Sequence, residues 1–269
     1  MTLFGNLAGK KLVIGLIHLK PLPGTPFYQP GDMQASLEKA IADASALYRG
    51  GADGALVQTI DRVYPAEDEA DPARVAAIAI ITHEVIRATS PDFKVGVQLM
   101  WNGIKPSLGV ARATGACFVR CTALMGMTTS AYGLIHANPY DVQMYRKYLD
   151  AWDVGMLAEI EGYHFRWLGG EIPPIAARAR MAMNLGADAV EVMAADEETN
   201  NRLVHDIKAA DSSIPVILGG GTDLENVARR LAEADGALVG SFFESLGWGG
   251  AIDESRVQEY VRLVRSLEK

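Results

Sequence analysis

Two glycine turns near the end of the chain and a few charged residues set inside apolar runs are where chemistry would fall. The segment PVILGGGTDLEN at 215–226 and the segment DGALVGS at 235–241 share one plan: an apolar run ends in glycine, followed by a residue able to open a helix. Glycine lets backbone N–H groups come close to an oxyanion, and a helix N-terminus adds positive potential. Gly219, Gly220, Gly221, Gly240 and Ser241 are therefore candidate phosphate-binding residues. The plainer alternative is two tight turns that bind nothing. Glu244, close behind Ser241, would repel an anion.

Successive side chains of a strand point to opposite faces, and in a barrel the outer face must be apolar to meet helices. In 156–160 the apolar set is Met156, Ala158 and Ile160, which turns Glu159 and Glu161 inward or to the rim. Val190 and Val192 likewise send Glu191 inward, and Phe118 and Thr122 share a face with Arg120. The second and third strands add Gln58 and Gln98. Buried carboxylates need partners, which leaves three readings open. Arg120, Glu159 and Glu191 form a structural ion network; or the carboxylates do acid/base work at raised pKa; or Glu159, Glu161, Glu191 and His164 hold a divalent cation. Oxygen-rich ligation of that kind favours magnesium or manganese. His18, closing the first strand, and His164, just past the fifth, are candidate acids or bases. No Ser–His–Asp arrangement or nucleotide-type glycine fingerprint occurs in proper context, and 219–221 is no Walker loop because no Lys follows it.

These residues need elements to position them. Short β-branched runs lie at 12–17, 55–58, 95–99, 118–121, 156–160, 189–192, 216–218 and 237–239. Helical spacing of apolar residues marks 33–48, 73–88, 139–149, 174–185, 199–210, 224–232 and 255–267. Strand–helix alternation at this length predicts a single (β/α)8 barrel, a TIM barrel of the ribulose-phosphate-binding type, as one domain over 1–269; a doubly wound open sheet is the competitor. The segments after the first, second and fourth strands (18–32, 59–71, 122–138) are long, and those after the sixth, seventh and eighth are read as short. Asn138, Thr222 and Asp223 suit helix N-caps.

The 269 residues are 49% hydrophobic and 22% charged, with 25 Lys+Arg against 33 Asp+Glu and a net charge of −8. That balance, without any basic run, argues against a nucleic-acid partner. The apolar runs fall short of the ~20 residues needed to span a bilayer. The opening segment runs into Pro21-Leu22-Pro23-Gly24 rather than a signal-peptide cleavage site. Cys117 and Cys121 lie in one strand-like run, too far apart to bridge. A soluble, cytoplasmic chain is expected. The apolar tail of the eighth unit leads us to expect a homo-oligomer.

The chain resembles the BtpA/SgcQ family. The resemblance rests on IGLIHLKPLPGTP at 14–26, GGADGALV at 50–57, FVRCT at 118–122, Tyr145-Arg146, GADAV at 186–190 and ADGALVGS at 234–241, and covers nearly the whole chain. It implies a phosphate-binding barrel. One branch is linked to photosystem I biogenesis and another is encoded beside sugar-transport components. His18, Asn102, Arg120 and His164 match the family pattern, which adds Asn102 to the substrate-binding candidates. The chain departs from the pattern at Gln58-Thr59, Met100-Trp101, Ala131-Tyr132, Tyr163, Glu191 and Glu244. Residues and resemblance together predict an enzyme that acts on a small phosphorylated, sugar-phosphate-like metabolite by acid/base isomerase or lyase chemistry. The alternative is a non-catalytic assembly factor.

Overall fold

The structure, a computed structural model, describes residues 3, 4, 7 and 9–268. In chain order the strands are β1 (Leu12–Leu19), β2 (Gly54–Thr59), β3 (Lys94–Gln98), β4 (Phe118–Cys121), β5 (Met127–Ser130), β6 (Gly133–His136), β7 (Gly155–Glu161), β8 (Ala189–Val192), β9 (Val216–Leu218) and β10 (Gly236–Val239). All but β5 and β6 close into one parallel barrel, in the order β1-β10-β9-β8-β7-β4-β3-β2. The helices are α1 (Asp32–Arg49), α2 (Pro72–Arg87), α3 (Ile104–Thr114), α4 (Pro139–Tyr148), α5 (Ile175–Asn184), α6 (Glu197–Ala210), α7 (Val227–Arg230) and α8 (Glu254–Arg265). The closed barrel decides against the open sheet.

Alternation along the strands sorts the core into two shells. Val13, Ile17, Val57, Val97, Val119, Met156, Ile160, Val190 and Val192 face outward into the main core with the helices. Leu12, Ile14, Leu16, Leu56, Phe118, Leu157, Ala189, Ile217 and Leu238 fill the barrel interior, together with Phe4, whose ring meets Phe118 edge-on at 5.8 Å. The inward positions change character toward the C-terminal ends of the strands. There His18 lies in register with Gln58, Gln58 with Gln98, and Glu159 with Glu191. An apolar plug thus carries a polar layer at the end where barrel enzymes place their sites.

Two expectations about the connections need correction. The segment after β10, 240–253, is long and irregular, and no helix opens at Ser241. The helix expected at 224–232 shrinks to α7, capped at Asn226, because Asp223 turns its carboxylate to the Glu225 and Asn226 amides and holds the preceding residues in a turn. The long fourth connection contains the antiparallel hairpin β5–β6. Asn138 does cap α4, accepting from the Asp141 amide at 3.2 Å. Both cysteines are free thiols, and no helix among the described residues is long and apolar enough to cross a membrane.

Candidate active site

A cavity of about 650 Å³ opens at the C-terminal ends of the strands. Its walls bring together His18, Gln58, Arg120, His164, Gly219, Gly220, Gly221, Gly240 and Ser241. The remaining candidates lie outside the lining. Glu159 and Glu191 form a buried layer beneath it, at 1% and 0% exposure. Gln98 donates to Thr122 Oγ1 at 3.3 Å. Asn102 accepts the Ala123 amide at 2.8 Å and so fastens the third connection to the fourth.

The register explains the charged layer. Glu159 and Glu191 are direct cross-strand partners, and two adjacent carboxylates out of water need a cation between them. Arg120 from β4 supplies it. Its Nε donates to Glu191 Oε2 at 2.7 Å, its Nη2 reaches Glu191 Oε1, and Nη2 lies 3.7 Å from Glu159 Oε2. Arg120 Nη1 has no acceptor among the described residues, on a side chain that lines the cavity. Glu159 Oε1 takes the amides of His164 (2.8 Å) and Phe165 (3.2 Å), and Oε2 meets His164 Nδ1 at 2.9 Å. Burial pushes the Glu159 carboxyl up, but His164 and Arg120 outweigh it and hold it below the usual range. For Glu191, burial prevails over Arg120 and the carboxyl stays raised.

Glu161 is a correction. A register shift between Glu159 and Glu161 pairs Glu161 with outward-facing Val192, so its side chain leaves the interior and accepts from Arg178 Nη1 of α5 at 2.6 Å. The four side chains read as cation ligands therefore do not converge: Glu161 points away, and the Arg120 guanidinium stands between Glu159 and Glu191. Among the described residues no group of three or more His, Cys, Asp or Glu could hold a metal ion.

Glu244 plays a part the spacing did not announce. Its carboxylate is buried at 1% exposure and meets His18 Nδ1 at 2.7 Å. It orients the imidazole instead of confronting an anion at Ser241. The His18 ring also lies 5.5 Å from that of Trp248. A carboxylate only accepts, so each of these histidines carries its proton on Nδ1 when neutral and keeps Nε2 as a base.

The glycine turn is built for close approach. Gly220 and Gly221 have φ of 138° and 71°, which side chains rarely adopt, and a Cβ at Gly219 would collide with Glu191 Oε1. The Gly219 amide is used by Val192 O and the Asp223 amide by Asn226 Oδ1. Between them, the amides of Gly220, Gly221 and Thr222 make no hydrogen bond to another described residue. With α7 so short, any anion here would be met by amides rather than by a helix dipole.

Sequence reasoning also missed Arg62 and the Asp61–Arg74 pair. Arg62 lines the cavity with φ of 74° and lays its guanidinium 5.4 Å from the Phe27 ring centre; nothing in its neighbours signals this. Buried Arg74 donates to Asp61 Oδ2 and Thr59 Oγ1, each at 2.7 Å, while Asp61 Oδ1 accepts the Leu22 amide at 3.0 Å. The pair ties the first two connections together under the rim.

The sequence pattern of the BtpA family matches residues 9–266. The chain belongs to the BtpA family. It is 30% identical to the photosystem I biogenesis protein BtpA of Synechocystis, over 97% of this chain and 90% of that one. It is 27% identical to the putative sgc region protein SgcQ of Escherichia coli, over 97% and 96%. Among solved structures, phosphoribosyl anthranilate isomerase from Thermococcus kodakaraensis superposes with a TM-score of 0.55 at 15% identity, covering 95% of this chain and 99% of that one. That likeness establishes the barrel.

Proposed function

We propose that this BtpA-family chain is an enzyme acting by acid/base isomerase or lyase chemistry on a small phosphorylated, sugar-phosphate-like metabolite. One observation carries the reading: two histidines, each with Nδ1 held by a buried glutamate, line one cavity from β1 and from the segment after β7. Those strands lie on opposite sides of the barrel order. A substrate lying between them would meet a base at one face and an acid at the other. His18 Nε2 or His164 Nε2 would take a proton from carbon next to a carbonyl, and the second ring, starting as the imidazolium with a proton on Nε2 as well as Nδ1, would deliver that Nε2 proton to the neighbouring atom. Arg120 Nη1 would steady the oxygen that gains charge. The amides of Gly220 and Gly221, with Gly240 and Ser241 on the same wall, would hold the phosphate. The name of the isomerase that shares the fold specifies a phosphoribosyl substrate, which fits this class.

The test is deuterium wash-in. Phosphorylated aldoses and ketoses are incubated with the protein in D2O, and carbon-bound exchange is followed by NMR. Exchange into at least one compound is expected. His18→Asn and His164→Asn should each slow it by roughly 100-fold or more while the fold persists, and Glu244→Gln should slow it less. Exchange that survives both histidine changes would remove the reading. The name of the Synechocystis relative favours a second one, an assembly factor working through exposed apolar residues such as Leu246 and Trp248, at 92% and 66% exposure. The same residues would serve self-association. Under that reading the histidine variants keep every partner.

A further inference from the structure

The two ends of the cavity differ in kind. Toward β9 and β10 it is lined by the backbone of the glycine turns, with Met193, Phe242 and Trp248 beside them. Toward the connections after β2, β3 and β4 it is lined by rings. Tyr64, Trp101 and Tyr132 come from three separate connections, yet each touches the other two, with centroids 6.0, 5.0 and 5.3 Å apart. His164 meets the Trp101 ring edge-on at 4.9 Å. All three rings are only partly buried and line the cavity, so they are not simply filling the core. Gln58, at 6% exposure, lines the same cavity with its Oε1 lacking a hydrogen-bond partner among the described residues.

We propose that this wall is a subsite for a flat heteroaromatic ring, so that the substrate is a phosphate ester that also carries such a ring. The inference rests on the reading of the glycine turns as a phosphate cradle and narrows its substrate class. A sugar ring offers these arenes only a puckered C–H face, with Trp101 Nε1, unpartnered among the described residues, as a donor to one hydroxyl. A flat heterocycle presents a π-surface that pairs with aromatic rings face to face or edge to face, and a ring N–H would answer Gln58 Oε1. The volume of about 650 Å³ lies within the ~300–1,000 Å³ usual for small-molecule and cofactor sites.

The test is calorimetric titration of the full chain with ribose 5-phosphate, adenosine, uridine and the 5′-monophosphates of both nucleosides. At least one monophosphate should bind about tenfold or more tightly than ribose 5-phosphate, as base stacking on aromatic side chains would give. The double variant Trp101→Leu/Tyr132→Leu should lose that margin and leave ribose 5-phosphate binding unchanged. If the double variant fails to fold by circular dichroism, Tyr132→Leu alone, on the hairpin, should still reduce the margin. A ring that adds nothing in the parent chain, or a margin that persists in the variants, overturns the proposal while leaving the phosphate reading intact. Nucleosides binding as tightly as their monophosphates overturn the phosphate reading, and with it the claim that one ester spans both ends. Absence of binding by all five compounds at millimolar concentration overturns the proposal too.

Discussion

Arg120 is the residue on which the polar layer depends. It is 3% exposed and faces two carboxylates that the strand register sets side by side. Arg120→Met would leave Glu191 buried without a counter-charge and Glu159 with His164 alone, a loss of about 3–5 kcal/mol, read as a fall in the urea midpoint. Replacing Glu191 by Met as well should restore most of it, because Glu159 keeps His164 and two amides. If the double change is no more stable than the single one, Arg120 is not there to neutralise Glu191. Alternation alone was enough to place Arg120, Glu159, Glu191 and Gln58 inside the barrel. It failed at Glu161, where one irregular pairing turned the side chain outward. Glu244 was misjudged because its partner, His18, lies 226 residues away along the chain; proximity to Ser241 in sequence gave the wrong neighbour.

Among the elements, the connection between β2 and α2 is held partly by a titrating group. Asp68 Oδ1 accepts the Lys105 amide at the start of α3 at 2.8 Å, and its Oδ2 is buried without a partner among the described residues. Burial raises its carboxyl from the ordinary 3.8 to about 6. A raised carboxyl favours the folded state fully below the unfolded value, and that contribution is lost as pH climbs through about 6. Asp68→Asn keeps an acceptor for Lys105 and removes the charge. Relative to the parent, its stability should rise between pH 4 and 7 by about 1–2 kcal/mol, after discount for partial exposure; denaturant titrations at both pH values check this. A variant that loses stability equally at both would show a plain hydrogen-bond role. At this scale the barrel strands were legible from β-branched runs. Helix α3 was not, since Pro106 and Gly109 break its pattern, and the β5–β6 hairpin was hidden because its short strands face both water and protein. Of these two stretches the hairpin, through Tyr132 at its turn, reaches the cavity wall. Gln58, Trp101, Tyr132 and Tyr163, where the chain departs from the family pattern, all line it.

The whole molecule is a closed circuit, and its closing seam joins the two ends of the chain. β1 pairs with β10, and α8 returns across the joint. Arg265 donates to Lys11 O at 2.8 Å, Asp53 Oδ2 at 2.7 Å and Glu268 Oε1 at 2.8 Å. Asp53 Oδ2 in turn accepts the Val13 amide at 2.8 Å. One guanidinium therefore fastens α8 to the first strand and to the turn before the second. A closed barrel has no free edge from which a strand can peel, so loosening the seam should lower the stability of every strand at once. Arg265→Met should reduce unfolding free energy by about 1–3 kcal/mol, the scale of lost charge-assisted hydrogen bonds. The dependence on denaturant should keep its slope, because the same surface is exposed. Coincident transitions by circular dichroism and tryptophan fluorescence would support a single cooperative unit. A shallower slope, or α-helical signal lost ahead of the fluorescence change, would instead mean that α8 and β1 detach while the remaining strands hold.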